Sequence, residues 1–210
     1  IPDSTFRNFI SSNIDPMAIV GDSLDTTNVN VINRRSIQIW NQWNSTVLRN
    51  YEGIQYFDSL LYFKINEGNV TGFSNLPPVI VTLNFEYCHV FGTIDSSAIS
   101  LRNFTLYESS WDNFNSLPDS VEIIELSNFD GEIHQLPDAL IEFHMRSNQS
   151  TFLLALPSTI DFIEISSCNI TGIAGALTSL TNIQIDNCTN IDSINLSMSQ
   201  AEYITITNCN

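Results

Sequence analysis

Apolar residues return along most of this chain in one figure about 20 residues long. An opening apolar residue is followed three and five places later by two more, with a polar residue between the last two. The openings are Leu60, Ile80, Leu101, Val121, Leu140, Ile160, Leu180 and Ala201, spaced 20, 21, 20, 19, 20, 20 and 21 residues apart. Three places on stand Phe63, Leu83, Phe104, Ile124, Phe143, Ile163, Ile183 and Ile204; five places on stand Ile65, Phe85, Leu106, Leu126, Met145, Ile165, Ile185 and Ile206. All twenty-four places are apolar in a chain only 43% hydrophobic, so composition alone does not produce the figure. The alternation over the last two predicts one short strand per unit. A unit with a single strand cannot bury its apolar face alone, so neighbouring units must stack into a continuous core.

Four Leu-Pro pairs, beginning at Leu76, Leu117, Leu136 and Leu156, each stand four residues before an opening. The ninth place of the figure holds Cys88, Asn148, Cys168, Cys188 and Cys209, which accounts for every cysteine in the chain. This figure resembles the leucine-rich repeat family, whose consensus is L-x-x-L-x-L-x-x-N/C-x-L, over roughly residues 34–210. The ninth place departs from that consensus at Gly68, Ser109 and Phe129, which interrupts the expected ladder of Asn and Cys side chains. The eleventh is apolar only at Val70, Val90, Trp111 and Ile170. The Leu-Pro openings, and "YEGIQYFDSLLYF" from Tyr51 to Phe63, are similar to the short repeats of bacterial surface and secreted proteins. The resemblance implies an α+β repeat solenoid: a parallel, concave β-sheet with little helix on its convex side, where ~20 residues leave room only for extended or turn-like chain. A poorer repeat with Ile37 and Ile39 as its inward pair precedes the array.

Residues 1–33 read as an N-terminal cap. Asp3 or Ser4 can open a helix with Phe6, Phe9, Ile10 and Ile14 on one face, and Pro16 stops it. Such a helix covers the open hydrophobic end of a solenoid. Beyond Cys209 no comparable cap is visible, which predicts an exposed last rung or a following segment that has been removed.

Composition narrows the partners. The 210 residues carry 7 Lys+Arg against 23 Asp+Glu, a net charge of −16, and Lys64 is the single lysine. So negative a surface argues against nucleic acid and anionic membrane. No apolar run approaches the ~20 residues of a membrane span, and the chain opens on Ile1 without a signal peptide, so it reads as a mature product or an excised piece. An extracellular or cell-surface location is what the resemblance implies. The shared place of the four cysteines argues for buried, reduced thiols over disulfides. Cys168, Cys188 and Cys209 stack on adjacent rungs about 4.8 Å apart, where a bridge would be strained.

Little else suggests chemistry. The histidines His89, His134 and His144 share no column, and neither a G-x-S-x-G elbow nor an H-E-x-x-H pair occurs. Glu125, His144 and Glu164 form a row that reads as a solvated polar stripe, and "GDSLDTTN" from Gly21 to Asn28 lacks the spacing of a calcium loop. No cofactor or metal is expected. Sequons at Asn44, Asn69, Asn103, Asn148, Asn169, Asn187 and Asn195 carry little weight in so Asn-rich a chain.

A binding face is the stronger expectation. One column on the open sheet runs Trp40, Asn66, Glu86, Tyr107, Ser127, Arg146, Ser166, Asp186 and Thr207. Its neighbour runs Asn41, Glu67, Tyr87, Glu108, Asn128, Ser147, Ser167, Asn187 and Asn208. Aromatic and acidic residues cluster on the first four rungs. The candidate ligand-binding residues are therefore Trp40, Tyr62, Glu67, Glu86, Tyr87, Tyr107 and Glu108: aromatic anchors beside carboxylates suited to steer a basic protein. The same aromatics could simply cover an exposed sheet. A second row, Ile123, Glu142 and Phe162, exposes apolar area at mid-array. The expected function is non-enzymatic recognition of a protein ligand, with glycan as another ligand class. The alternatives are a carbohydrate-active β-helix, which needs two or more strands per coil, and the substrate-recognition half of a secreted effector. An ice- or mineral-binding surface would need a continuous Thr ladder, which Thr82, Thr105 and Thr205 do not form.

Overall fold

Asp3 opens helix α1 (Ser4–Asn13) by accepting from the backbone N–H groups of Thr5 and Phe6 at 2.7 and 2.9 Å, which satisfies two donors that a helix start leaves without partners. Phe6 and Ile10 are buried, and Phe9 and Ile14 pack partly buried against the same core. The other carboxylate oxygen of Asp3 accepts from Asn50 N–H at 3.0 Å, and the Tyr51 ring meets Phe6 and Phe63 edge-on at 5.2 and 5.8 Å. The helix thus rests on the first rungs of the array. The structure is a computed structural model that describes residues 1–40, 48–72, 75–94, 98–112, 114, 117–131, 133, 135–148, 152–175, 177–196 and 201–209. Asn41, Asn44 and His134 lie outside the described residues.

After α1 come a short hairpin, β1 (Ile19–Val20) and β2 (Ser23–Leu24), and a single turn of helix, α2 (Val29–Ile32), capped by Asn28. The array continues with β3 (Ser36–Trp40), β4 (Leu48–Asn50), β5 (Tyr62–Thr71), β6 (Thr82–Val90), β7 (Asn103–Tyr107), β8 (Ser110–Trp111) and β9 (Ile123–Ser127). It ends with β10 (Glu142–Arg146), β11 (Phe152–Ala155), β12 (Phe162–Ser166), β13 (Ile170–Gly175), β14 (Asn182–Asp186), β15 (Ser193–Leu196) and β16 (Tyr203–Thr207). One sheet runs β16-β14-β12-β10-β9-β7-β6-β5-β3, with β4 and β8 joined at its margin, and its pairings are parallel.

The register is the one the apolar figure demands. Phe63, Leu83, Phe104, Ile124, Phe143, Ile163, Ile183 and Ile204 lie side by side across the sheet. Every predicted inward residue is buried except on the last rung, where Ala201 is half-buried and Ile204 and Ile206 are exposed. No described residue stacks on β16, so its inward side chains meet solvent. The chain is a parallel-strand β-solenoid with an N-terminal helix and little other helix.

On the far side of the coil the structure departs from one strand per unit. β11, β13 and β15 form a second parallel sheet across three successive turns. Their segments do not repeat the inward alternation of the main strands, which hid them in the sequence. Ile170 and Ile173 of β13 are buried, so this sheet closes the back of the core.

The ninth places tie each turn to its neighbours. Cys88 Sγ reaches the Ile65 and Glu86 carbonyls at 3.6 and 3.1 Å, and Cys168 Sγ those of Met145 and Ser166 at 3.6 and 3.2 Å. Ser109, outside the consensus, does the same work: its hydroxyl donates to the Tyr107 carbonyl at 2.8 Å and accepts from Cys88 N–H at 2.9 Å. Phe129 replaces polar bonding with burial against Phe114, ring centroids 5.2 Å apart. Burial pushes the Cys88 thiol up to about 12. Cys168 is likewise raised, by the neighbouring Cys188 and by burial. Asn148 is fully buried in its ninth place, which closes that sequon to a glycan.

Candidate functional site

The open face of the main sheet carries the third, fifth and seventh places of each unit. Trp40 stands on β3 at 61% exposure, Tyr107 on β7 is exposed, and Tyr62 on β5 and Glu86 on β6 are half-buried. The other three candidates lie at the margin of this face. Glu67, Tyr87 and Glu108 occupy the eighth place, where the backbone turns left-handed with φ of 65, 55 and 45°. Asn128, Ser147, Ser167, Asn187 and Asn208 repeat the same turn with φ between 48 and 57°. This corrects the second predicted column, which is a line of left-handed backbone kinks along the margin of the sheet, within β5 and β6 at Glu67 and Tyr87 and just past the strand ends from Glu108 on, and not a regular strand stripe. From Glu108 to Asn187 the eighth N–H donates to the seventh carbonyl of the next rung, as from Glu108 to Ser127 at 2.7 Å and from Asn128 to Arg146 at 2.9 Å. The signal was present in the sequence: Asn, the residue that best tolerates this conformation after Gly, recurs there.

The patch resolves into two clusters. In the first, the Lys64 ammonium lies over the Trp40 ring at 5.2 Å from its centroid and bonds the Glu86 carboxylate at 2.6 Å, while Asn66 donates to the other oxygen at 3.0 Å. Burial would push the Glu86 carboxyl up, but the bonds from Lys64 and Asn66 and the Lys64 charge outweigh it and hold the group below its ordinary range. Glu86 therefore does not present a free charge to a partner. In the second cluster the Tyr87 and Tyr107 rings meet edge-on at 5.4 Å. The Tyr107 hydroxyl lies against the Tyr87 hydroxyl and the Glu108 carboxylate, which raise its pKa. Tyr62 pairs across the strands with Ser36 and Thr82 and joins neither cluster. Trp40 also forms one wall of a cleft of about 290 Å³ against α1, with Phe9 and Arg49 among the others.

The Glu86–Lys64 pair makes the stability of the first rungs sensitive to acid. A carboxyl held low when folded contributes fully above its unfolded pKa, and that contribution is lost as pH falls through the folded value. The urea midpoint of the wild type should exceed that of Glu86→Gln at pH 7, and the gap should close on acidification below about pH 4. A gap independent of pH would separate the pair from the acid response.

At mid-sheet the row of Glu125, His144 and Glu164 is not symmetric. His144 Nδ1 lies 3.1 Å from Glu164 and Nε2 lies 3.5 Å from Glu142, while Arg146 grips Glu164 through Nε and Nη2 at 2.8–3.1 Å. Burial opposes the charge on Glu164, but the bonds from His144 and Arg146 prevail and lower its pKa. His144 also stacks obliquely on Phe162, centroids 5.1 Å apart, which covers that end of the predicted apolar row. Among the described residues no group of three His, Cys, Asp or Glu could hold a metal ion, and no helix is long and apolar enough to cross a membrane.

No protein-family model matches the chain, and no curated protein matches it either. Among solved structures it is similar to CroV588, whose crystal structure is described as a novel circular LRR protein, with a TM-score of 0.49 at 15% identity. The likeness covers 77% of this chain and 33% of CroV588, so the chain spans about a third of that protein's length.

Proposed function

We propose that the chain is a non-enzymatic recognition module of a cell-surface or secreted protein of the bacterial repeat class, binding a basic protein through its open sheet face. The observation that carries the reading is the exposed Tyr87–Tyr107 pair with Glu108 at its edge, one rung from the Trp40–Lys64–Glu86 cluster. Aromatic side chains held by their neighbours offer contact area at little entropic cost and are the usual anchors of protein interfaces. With Glu86 neutralised by Lys64, steering of a basic partner falls to Glu108 and to the net charge of −16. A glycan-binding reading draws support from the second parallel sheet, because two strands per coil is the cross-section expected of a carbohydrate-binding β-solenoid.

The test is an immobilised-protein screen against cell-surface protein extracts and a polysaccharide panel at two salt concentrations, with a Trp40→Ala/Tyr87→Ala double variant alongside. Salt-sensitive capture of a basic protein that is lost in the variant supports the reading. Each anchor is expected to contribute about 2 kcal/mol or more to binding. Glycan capture indifferent to the double variant, with no protein captured, overturns it.

A further inference from the structure

Across the seventh-place column, the small side chain of Ser127 on β9 separates the ring of Tyr107 on β7 from the guanidinium of Arg146 on β10. The gap is a notch of about 200 Å³, bounded in the adjacent column by Thr105, Glu125 and His144. Tyr107 and Arg146 stand two rungs apart, roughly 10 Å at ordinary strand spacing. Both basic groups that line the notch spend their charge on another partner: His144 and Arg146 bond Glu164, one rung further along on β12. Glu125 is left exposed: among the described residues it accepts only from the Thr105 hydroxyl, at 3.3 Å, and has no cationic partner. The notch therefore offers an aromatic wall and a carboxylate without a counter-charge, inside a field made more negative by Glu108 and Glu142.

We propose that this notch receives a single arginine side chain; as a contact with a protein partner, it rests on the recognition reading above. At about 200 Å³ it is smaller than the roughly 300–1,000 Å³ of a typical small-molecule pocket, and it matches one inserted side chain better than a free ligand. A guanidinium can lay its plane on the Tyr107 ring while its N–H groups reach the Glu125 carboxylate. Lysine satisfies the charge but not the plane. An anion is disfavoured, because Arg146 is already held by two oxygens of Glu164 and the remaining charges repel it.

The experiment is an amide NMR titration of the whole chain with acetyl-Gly-Arg-Gly-amide, and with its lysine and citrulline counterparts. The arginine peptide should shift the amides of Tyr107, Glu125 and Ser127, with a dissociation constant on the order of millimolar. Citrulline, which lacks the charge, and the Glu125→Gln variant should each weaken binding roughly tenfold. Ser127→Phe fills the notch and should abolish the shifts. Glu125→Gln changes an exposed side chain and keeps the test valid should Ser127→Phe disturb the sheet. Arginine and lysine shifts that are equal and spread over the acidic surface, or shifts that survive both variants, overturn the proposal. The two readings fail separately. Loss of protein capture in Trp40→Ala/Tyr87→Ala without notch shifts removes the notch alone, and notch shifts without any protein capture remove the recognition reading alone.

Discussion

Phe104→Ala is expected to lower the stability of the chain by about 3–5 kcal/mol, the upper range for truncation of a single core side chain. Phe104 is fully buried at the middle of the array, with ring centroids of Phe85, Trp111 and Phe114 at 6.2, 5.4 and 6.2 Å. Its neighbours are themselves fixed. Trp111 donates its indole N–H to the Gly92 carbonyl at 2.7 Å, and Phe114 lies against Phe129. They cannot collapse into the space left by the ring without giving up those contacts, so the cavity term adds to the lost transfer energy. A domain of this kind has about 5–15 kcal/mol in hand, so the loss is a large fraction of the whole. Because each rung contacts only its neighbours, the damage also weakens the coupling between the two halves. Urea unfolding followed by tryptophan fluorescence should show a lower midpoint and a broader transition. A shift worth less than about 1 kcal/mol would mean that the aromatic cluster repacks.

Ser147→Val is expected to cost about 1–3 kcal/mol, and the cost lies in the backbone. Ser147 turns the chain off β10 at φ 57°, a region in which a β-branched side chain clashes with its own carbonyl. Ser147→Gly removes that strain while loosening the unfolded chain, so it should stay within about 1 kcal/mol of the wild type. The contrast between the two variants is the measurement, read as urea midpoints at fixed pH. Equal stability of the two would show that the eighth place does not need its left-handed turn.

The reasons some features were legible and others not are physical. The inward places could be read because burial acts on residue type directly: a polar residue at Phe143 or Ile163 would forfeit the core, so those places stay apolar in every unit. Asp3 could be read for the same kind of reason, since few side chains cap a helix start. The eighth-place turn was obscured because Glu67, Tyr87 and Glu108 fill it with residues that have no preference for it. The strain there is offset by rung-to-rung hydrogen bonds that leave no mark on side-chain identity. Cross-rung pairs such as Lys64–Glu86 and Arg146–Glu164 were hidden for another reason. Register brings the columns together, but the choice of partner among several carboxylates depends on side-chain rotamers. That choice decided the site: it neutralised Glu86, occupied Glu164 and left Glu125 exposed.

The uniform corner has an evolutionary corollary. From the Glu108 corner to the Asn187 corner, each turn hands the next the same offer, an eighth-place N–H aimed at a seventh-place carbonyl, whatever the side chains are. Neighbouring turns are therefore joined by a connection that is blind to their order. A tandem duplication of some 20 codons, cut at any point in the figure, would insert a turn that finds its bonds already waiting, and a deletion of that length would close without a scar. Recombination can thus lengthen or shorten such a surface in steps of about 4.8 Å, trading one row of exposed residues for another while the interior stays as it was.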